Sequence, residues 1–232
     1  GSPYAGVSYG ADRKPRFEIS DHNAKLVPAA LDKSGSGTMG RFLKNDTYYQ
    51  AHPDAALLDV QKSAGGGGSF DGYKVTIGSN HFAAKQLLGR PVAKETARGV
   101  ALHEKQHHAQ DVEGFAPGGS PKDFETRVDR SGKRVQLSAG ESREMYRRLA
   151  GEVEAENTRR RANMTPAGRR AIHPSKTAEF ARKDQIVTDR HGRVQETRQK
   201  SPLDLHTEGH REVKIGNSRI GYQVKADGTV HV

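Results

Sequence analysis

Apolar positions along this chain come in short bursts separated by glycine, proline and charge. Lys25–Leu31 holds Leu26, Val27, Ala29, Ala30 and Leu31 and reads as a short buried run. Leu57–Val60 is a second run, short enough for a strand. Tyr73, Val75 and Ile77 alternate with polar neighbours, the period of a half-buried strand. Between them Gly65–Gly68 is a run of glycines and reads as a loop. Two longer stretches carry helical spacing. Ala93–Asp111 follows Pro91, a favourable helix start, because the N–H that proline lacks would be unpaired there anyway. Glu141–Asn163 is the other, closed by Thr165-Pro166. Gly114–Pro121 reads as a loop, and Thr126–Leu137 as a hairpin turning over Asp129–Gly132. Val213–Val232 shows short strand patterns around Gly216-Asn217 and Asp227-Gly228. Short strands in a small sheet with two long helices predict the α+β class. The expected division is a flexible arm over 1–41, a folded domain over 42–187, and a basic linker with a β-hairpin over 188–232.

The first helix carries His103-Glu104-Lys105-Gln106-His107, an H-E-x-x-H pattern. Histidines at i and i+4 stand about 40° apart around a helix, so both imidazoles can reach one metal ion. Glu104 lies on the same flank, where it can take a proton from a water on the metal without ligating it. A wheel groups Ala97, Val100, His103, Glu104 and His107 on one face, with Lys105 and Gln106 pointing elsewhere. Burying two histidines and a glutamate unpaired is costly, so that face needs a partner.

A catalytic zinc ordinarily has three protein ligands and one open position. The third is sought on the second helix. There Met145, Tyr146, Leu149, Ala150 and Val153 define an apolar face, and Glu152 and Glu156 flank it. Two carboxylates at a core edge repel each other unless a cation sits nearby. Glu152 is therefore the expected ligand, Glu154 the alternative, and Glu156 a supporting carboxylate. His108 turns about 100° away from His107 and is expected on a flank or facing substrate. His81 follows a strand and is a candidate to approach the site. The remaining histidines, His52 among them, are expected at the surface. Tyr73 and Tyr146 are expected to pack in the core with satisfied hydroxyls, or else to donate to an oxyanion.

Composition adjusts this picture in three ways. The net charge is +10 and only 33% of residues are hydrophobic, which suggests a polyanion as partner and a small core. Residues 169–200 hold nine Lys/Arg against four Asp/Glu, yet Phe180 is their one aromatic, so a stacking platform for single-stranded nucleic acid is absent. With no cysteine, disulfides, thiolate ligands and a cysteine nucleophile are excluded. No apolar run approaches the roughly 18 residues of a membrane span. No signal peptide is visible and Gly1-Ser2 reads as a cloning scar, so the expected location is the cytoplasm, or a target cell after delivery.

Three stretches taken in order resemble the zincin-like metallopeptidase domains of large polyvalent proteins in phages and mobile elements. They are Leu102–Gln110, matching L-H-E-x-Q-H-x-x-Q; Glu113–Pro121, matching E-G-F-A-x-G-G-S-P; and Tyr146–Asn157, matching Y-x-x-L-A-G-E-V-E-A-R-N. Tyr48–Val60 and Thr165–Val187 resemble the family's lead-in and end, so the resemblance covers about residues 42–187. It implies a zinc-dependent peptide hydrolase with a zincin-like core and two active-site helices. His103, His107 and Glu152 would be the metal ligands, Glu104 the catalytic base, and a polypeptide the substrate, held beside the strand Tyr73–Ile77. Glu156 departs from the family's usual arginine, Lys105 from an apolar residue, and the hairpin lengthens the stretch before Gly151. Two other readings stand beside this one. One is a domain that cuts its own polyprotein. The other is a catalytically weak scaffold whose basic tail makes electrostatic contact with nucleic acid.

Overall fold

The computed structural model describes residues 4–9, 15–82, 92–128, 134–188, 194–195, 209–215, 218–224 and 230–231, with side chains over 18–82, 97–126 and 134–188. The fold is mixed α+β, with small sheets and several helices. The chain divides into two compact units, Gly1–Gln195 and Glu196–Val232. The second contains an antiparallel meander in which Gly209–Ile215 pairs with Ser218–Val224 and that strand with Val230–His231. No helix among the described residues is long and apolar enough to cross a membrane.

In the first unit the main sheet has four strands: β1 (Ser36–Thr38), β2 (Asp59–Ser63), β3 (Gly68–Phe70) and β4 (Lys74–Gly78). Their order is β1-β2-β4-β3. β2 and β4 run parallel, with Val60 opposite Val75, while β3 returns antiparallel, with Gly68 opposite Ile77. The alternation of Val75 and Ile77 is a core pattern, as both are fully buried. Tyr73 breaks it: the residue precedes β4 and is 79% exposed, so it neither packs in the core nor enters the site. β4 has neighbours on both sides, so the strand expected to hold a substrate has no free edge, whereas β3 lies at the sheet's margin.

Across the buried face of the sheet runs α1 (Val92–Glu113). Ala97, Ala101, Leu102 and Ala109 meet Phe42, Leu43, Val60, Val75 and Ile77 in one core. Mostly small side chains on the helix let it approach closely. α1 ends where Gly114 takes φ +63, a conformation that favours glycine. The N–H of Phe115 then donates to Gln110 O at 2.8 Å and that of Gly114 to Asp111 O at 3.2 Å, both typical of a Schellman ending. This stop turns the chain back along α1, so the loop through Ala116–Ser120 walls the site.

The second predicted helix is two helices. α2 (Ala139–Arg147) starts at Ser138, whose hydroxyl accepts from Glu141 N–H while the Glu141 carboxylate accepts from Ser138 N–H, a capping box. α3 (Ala150–Arg161) follows after a break at Leu149, which has φ −55 and ψ 131. The break is imposed from outside. Ile186 N–H donates to Arg148 O at 2.7 Å and Ala150 N–H to Ile186 O at 2.8 Å, forming a parallel bridge. The next residues form β5 (Val187–Thr188), paired with Val194–Gln195. The expected hairpin is present as Thr126–Val128 paired with Arg134–Gln136, its turn lying outside the described residues.

The arm expected over 1–41 is folded: Tyr4–Tyr9 pairs antiparallel with Pro15–Ile19, and the segment that follows enters the core. Ala24, Leu26 and Met39 are buried in the main core. Asp21 accepts from Lys105 Nζ at 2.7 Å and from Asn45 Nδ2 at 2.6 Å. Glu18 receives both Arg161 (2.6 and 3.0 Å) and Arg169 (2.7 Å). Arg98 donates to the carbonyls of Asp21 and Ala24, each at 2.8 Å. Weak hydrophobic periodicity suggested an arm, but ionic and polar contacts hold this segment down.

Candidate metal centre

His103, Glu104 and His107 share the face of α1 turned toward a cleft of about 1120 Å³. One wall is β3 and its turn, Gly68–Gly72; another is the loop Gly114–Ser120; Tyr146, Glu152 and β5 complete it. Glu152 sits in the first turn of α3, where the helix dipole favours a carboxylate.

Two imidazoles and one carboxylate converge here. His103 Nε2 lies 3.3 Å from Glu152 Oε2, and His107 Nε2 3.5 Å from Glu152 Oε1. The three donor groups lie within 4.8 Å of one another, and among the described residues they are the one such group able to hold a metal ion. Donors about 2.0–2.2 Å from a tetrahedral metal stand roughly 3.3–3.6 Å apart, so a separation within 4.8 Å lets the three groups reach one ion after small side-chain adjustments. An N,N,O donor set suits zinc and also other divalent transition metals.

The neighbourhood presses on the protonation of these groups. Burial raises the Glu104 carboxyl to about 7; the negative Glu152 adds to this and His103 opposes it. Burial depresses the His107 imidazole, partly offset by Glu152. For His103 burial also pushes down, but the hydrogen bond to Glu152 and the charges of Glu104 and Glu152 outweigh it and raise the pKa. Burial likewise pushes Glu152 up, yet bonds to His103 and Tyr146 and the charge of His107 hold it low. The cluster is rich in buried acid, and a cation would satisfy it.

Glycine is required at two points. A Cβ on Gly68 would stand 2.4 Å from Glu104 Oε1 and 2.5 Å from Val100 Cγ1. A Cβ on Gly118 would stand 2.3 Å from Glu152 Oε1 and 2.6 Å from His107 Cε1. Backbone therefore presses against the acid on one side and the carboxylate donor on the other. Gly119 N–H donates to Glu152 Oε1 at 3.1 Å, holding that carboxylate in place.

Other candidates fall elsewhere. Glu154 accepts from Gln106 and Gln110 and is outside the donor group. Glu156 is tied to Arg159 and Arg160 at 2.7–2.8 Å, so its place supporting the ligands is taken by Tyr146, Gly119 and Gln110. Tyr146 is not a core residue: its hydroxyl donates to Glu152 Oε2 at 2.7 Å. In one unbroken helix Tyr146 and Glu152 would point about 120° apart, so the break at Leu149 makes this bond possible. His108 is buried, against Tyr48 and Asp54, and faces no substrate. His81 accepts from Gly67 N–H at 2.8 Å and stays outside the cluster. His52 is buried, stacked on Tyr48 with ring centroids 4.9 Å apart. Lys105 does point away from the cleft, but into a second buried environment where it is 1% exposed.

Sequence reasoning missed β3, because glycine-rich Gly68-Ser69-Phe70 carries little strand signal. It also missed Thr188, which lines the cleft with its hydroxyl buried and unpartnered. Comparison of the chain with protein-family models, with curated proteins and with solved structures finds no match.

Proposed function

We propose that this chain is a zinc-dependent peptidase of the zincin type, acting on an extended polypeptide. The observation that carries the reading is the convergence of His103, His107 and Glu152 at 3.3–3.5 Å on the floor of an open cleft that Glu104 also lines. The edge strand β3 beside it and the helix pair α1 and α3 beneath it support the same assignment.

The two histidines and Glu152 would hold the ion. A zinc ion bound there supplies Lewis-acid activation of water and of the scissile carbonyl. Glu104 accepts a proton from the attacking water and later delivers it to the leaving amine nitrogen. Burial raises its carboxyl to about 7 in the metal-free protein, and a divalent cation beside it would lower it again, favouring the base form that takes the water's proton. The substrate backbone pairs with β3, adding a strand to the sheet through main-chain hydrogen bonds. Tyr146 and Gly119 N–H orient Glu152.

Metal content together with peptide hydrolysis tests the reading. Wild type purified without added metal is expected to carry one zinc per chain and to cleave members of a synthetic peptide library. His103→Ala should lose both. Stoichiometric metal absent from the wild type, or cleavage retained by His103→Ala, would overturn it.

A further inference from the structure

An imidazole binds metal through a nitrogen that carries a lone pair, and which nitrogen does so depends on where the ring proton sits. For His107 the surroundings decide the matter. Its Nδ1 lies 2.8 Å from Oε1 of Gln110, one turn further along α1. The oxygen and nitrogen ends of a glutamine amide have nearly the same shape, so their placement needs a chemical reason. The other end supplies it. That atom stands 2.8 Å from the carbonyl oxygen of Gly151 and 2.8 Å from Glu154 Oε2. A carbonyl has no hydrogen to give, so the group facing it must be the NH2. The oxygen of Gln110 therefore faces His107, and an oxygen can only accept. His107 must carry its hydrogen on Nδ1 and its lone pair on Nε2. Gln110 is 1% exposed, so water does not compete for either end.

We propose that Gln110, anchored by Gly151 and Glu154, is a positioning residue that locks His107 in the Nδ1–H tautomer and presents Nε2 to the metal. His107 Nε2 then faces Glu152 Oε1 at 3.5 Å. A lone pair there faces a carboxylate oxygen with no proton between them, an arrangement that a cation relieves. Glu154 thus acts one step removed from the ion. It holds Gln110 and also accepts from Gln106 at 3.2 Å. The role rests on the metal reading above, but the tautomer can be read in the metal-free protein.

The test is a long-range proton–nitrogen correlation spectrum of 15N-labelled, metal-free protein at about pH 8, above the ordinary histidine range. His107 is expected as a single Nδ1–H form. Gln110→Leu should release it to the other tautomer or to a mixture, and should weaken zinc binding by about 10–100-fold in a chelator competition. An Nε2–H form or a mixture in the wild type overturns the proposal, whatever Gln110→Leu does to folding. Zinc binding by folded Gln110→Leu at wild-type affinity overturns it too. A wild type that binds no zinc overturns the metal reading together with this role, whereas one that binds zinc with the wrong tautomer overturns this role alone.

Discussion

On one side of α1, His103, Glu104 and His107 face Glu152; on another, Lys105 faces Asp21, with Arg98, Arg161, Arg169 and Glu18 around it. Both environments bury charge, and burial of charge is expensive unless it is paired. The rear network sets Lys105 and the arginines on the carboxylates of Asp21 and Glu18 and on backbone carbonyls. Lys105 lies 2.7 Å from Asp21 and 3.5 Å above the Tyr48 ring, and Glu18 receives two arginines. It leaves a pocket of only about 60 Å³, lined in part by Asn157 and Arg169, whose Oδ1 and Nε are buried without a partner. The front cluster keeps an excess of carboxylate beside a cleft of about 1120 Å³. The rear network ties its charges together within the fold, whereas the front leaves carboxylates lining a large cleft, where under the proposed function a cation and a substrate would sit.

The largest effect expected from breaking this contrast is on the front. Glu104→Gln keeps the shape and removes the proton carrier. It should lower kcat by about 10²–10⁴-fold while zinc content stays at one per chain. Peptide cleavage at the wild-type rate by zinc-loaded Glu104→Gln would remove the base from the mechanism. The matching change at the rear is Lys105→Met, which removes the buried ammonium from Asp21 and leaves its carboxylate only Asn45 and the more distant Arg169. It should cost about 3–5 kcal/mol in urea unfolding, while kcat of the folded fraction stays within a few-fold of wild type. Asp21→Asn combined with Lys105→Met should recover most of that stability. If Lys105→Met instead left stability intact and abolished turnover, the two sides of α1 would have exchanged roles.

How much of this was legible beforehand differs between the two sides for a physical reason. The front of α1 follows from i, i+4 spacing within a single helix, so His103, Glu104 and His107 could be placed on one face from sequence. Lys105 could be excluded from that face but not assigned a partner, because Asp21 lies 84 residues earlier. The same distance hid the anchoring of residues 18–41, whose apolar pattern is weak. The break at Leu149 was illegible too, since Leu149–Ala155 is a good helix-forming stretch and the interruption comes from Ile186. Sheet order was not encoded in periodicity either. Tyr73–Ile77 has the stronger strand pattern because β4 is central, and the free edge falls to glycine-rich β3.

A smaller effect concerns stability when metal is removed. Excess chelator should lower the Tm of the wild type and leave that of His103→Ala unchanged. Zinc at 100 times its Kd is worth about 2.7 kcal/mol. In the metal-free state the raised carboxyl of Glu104 sets a pH dependence whose sign is fixed. The native pKa of about 7 lies above the ordinary 4.5, so the folded state holds the proton more tightly. This group's contribution is therefore favourable below pH 4.5 and is lost as pH rises toward 7. Metal-free Glu104→Gln should match the wild type at low pH and exceed its stability above neutrality. A difference that shrank with rising pH would contradict the burial of an acid on this face.

The smallest effect separates the two kinds of unpaired polar atom. Asn157 and Arg169, whose Oδ1 and Nε are buried and unpartnered, line the small rear pocket, whereas Thr188, whose buried hydroxyl is unpartnered, lines the front cleft. A buried hydroxyl without a partner costs about 1–3 kcal/mol, and under the proposed peptidase function a substrate group would be the partner that satisfies it. Thr188→Val keeps the branched shape and deletes the hydroxyl. Stability should hold or rise slightly, while kcat/KM should fall about tenfold, the worth of one hydrogen bond of about 1.4 kcal/mol. Thr188→Ser, which keeps the oxygen, should stay closer to wild type in kcat/KM. A stability loss in Thr188→Val with kcat/KM intact would mean that the hydroxyl serves the fold, and would move Thr188 from the front of the molecule's division of labour to the rear.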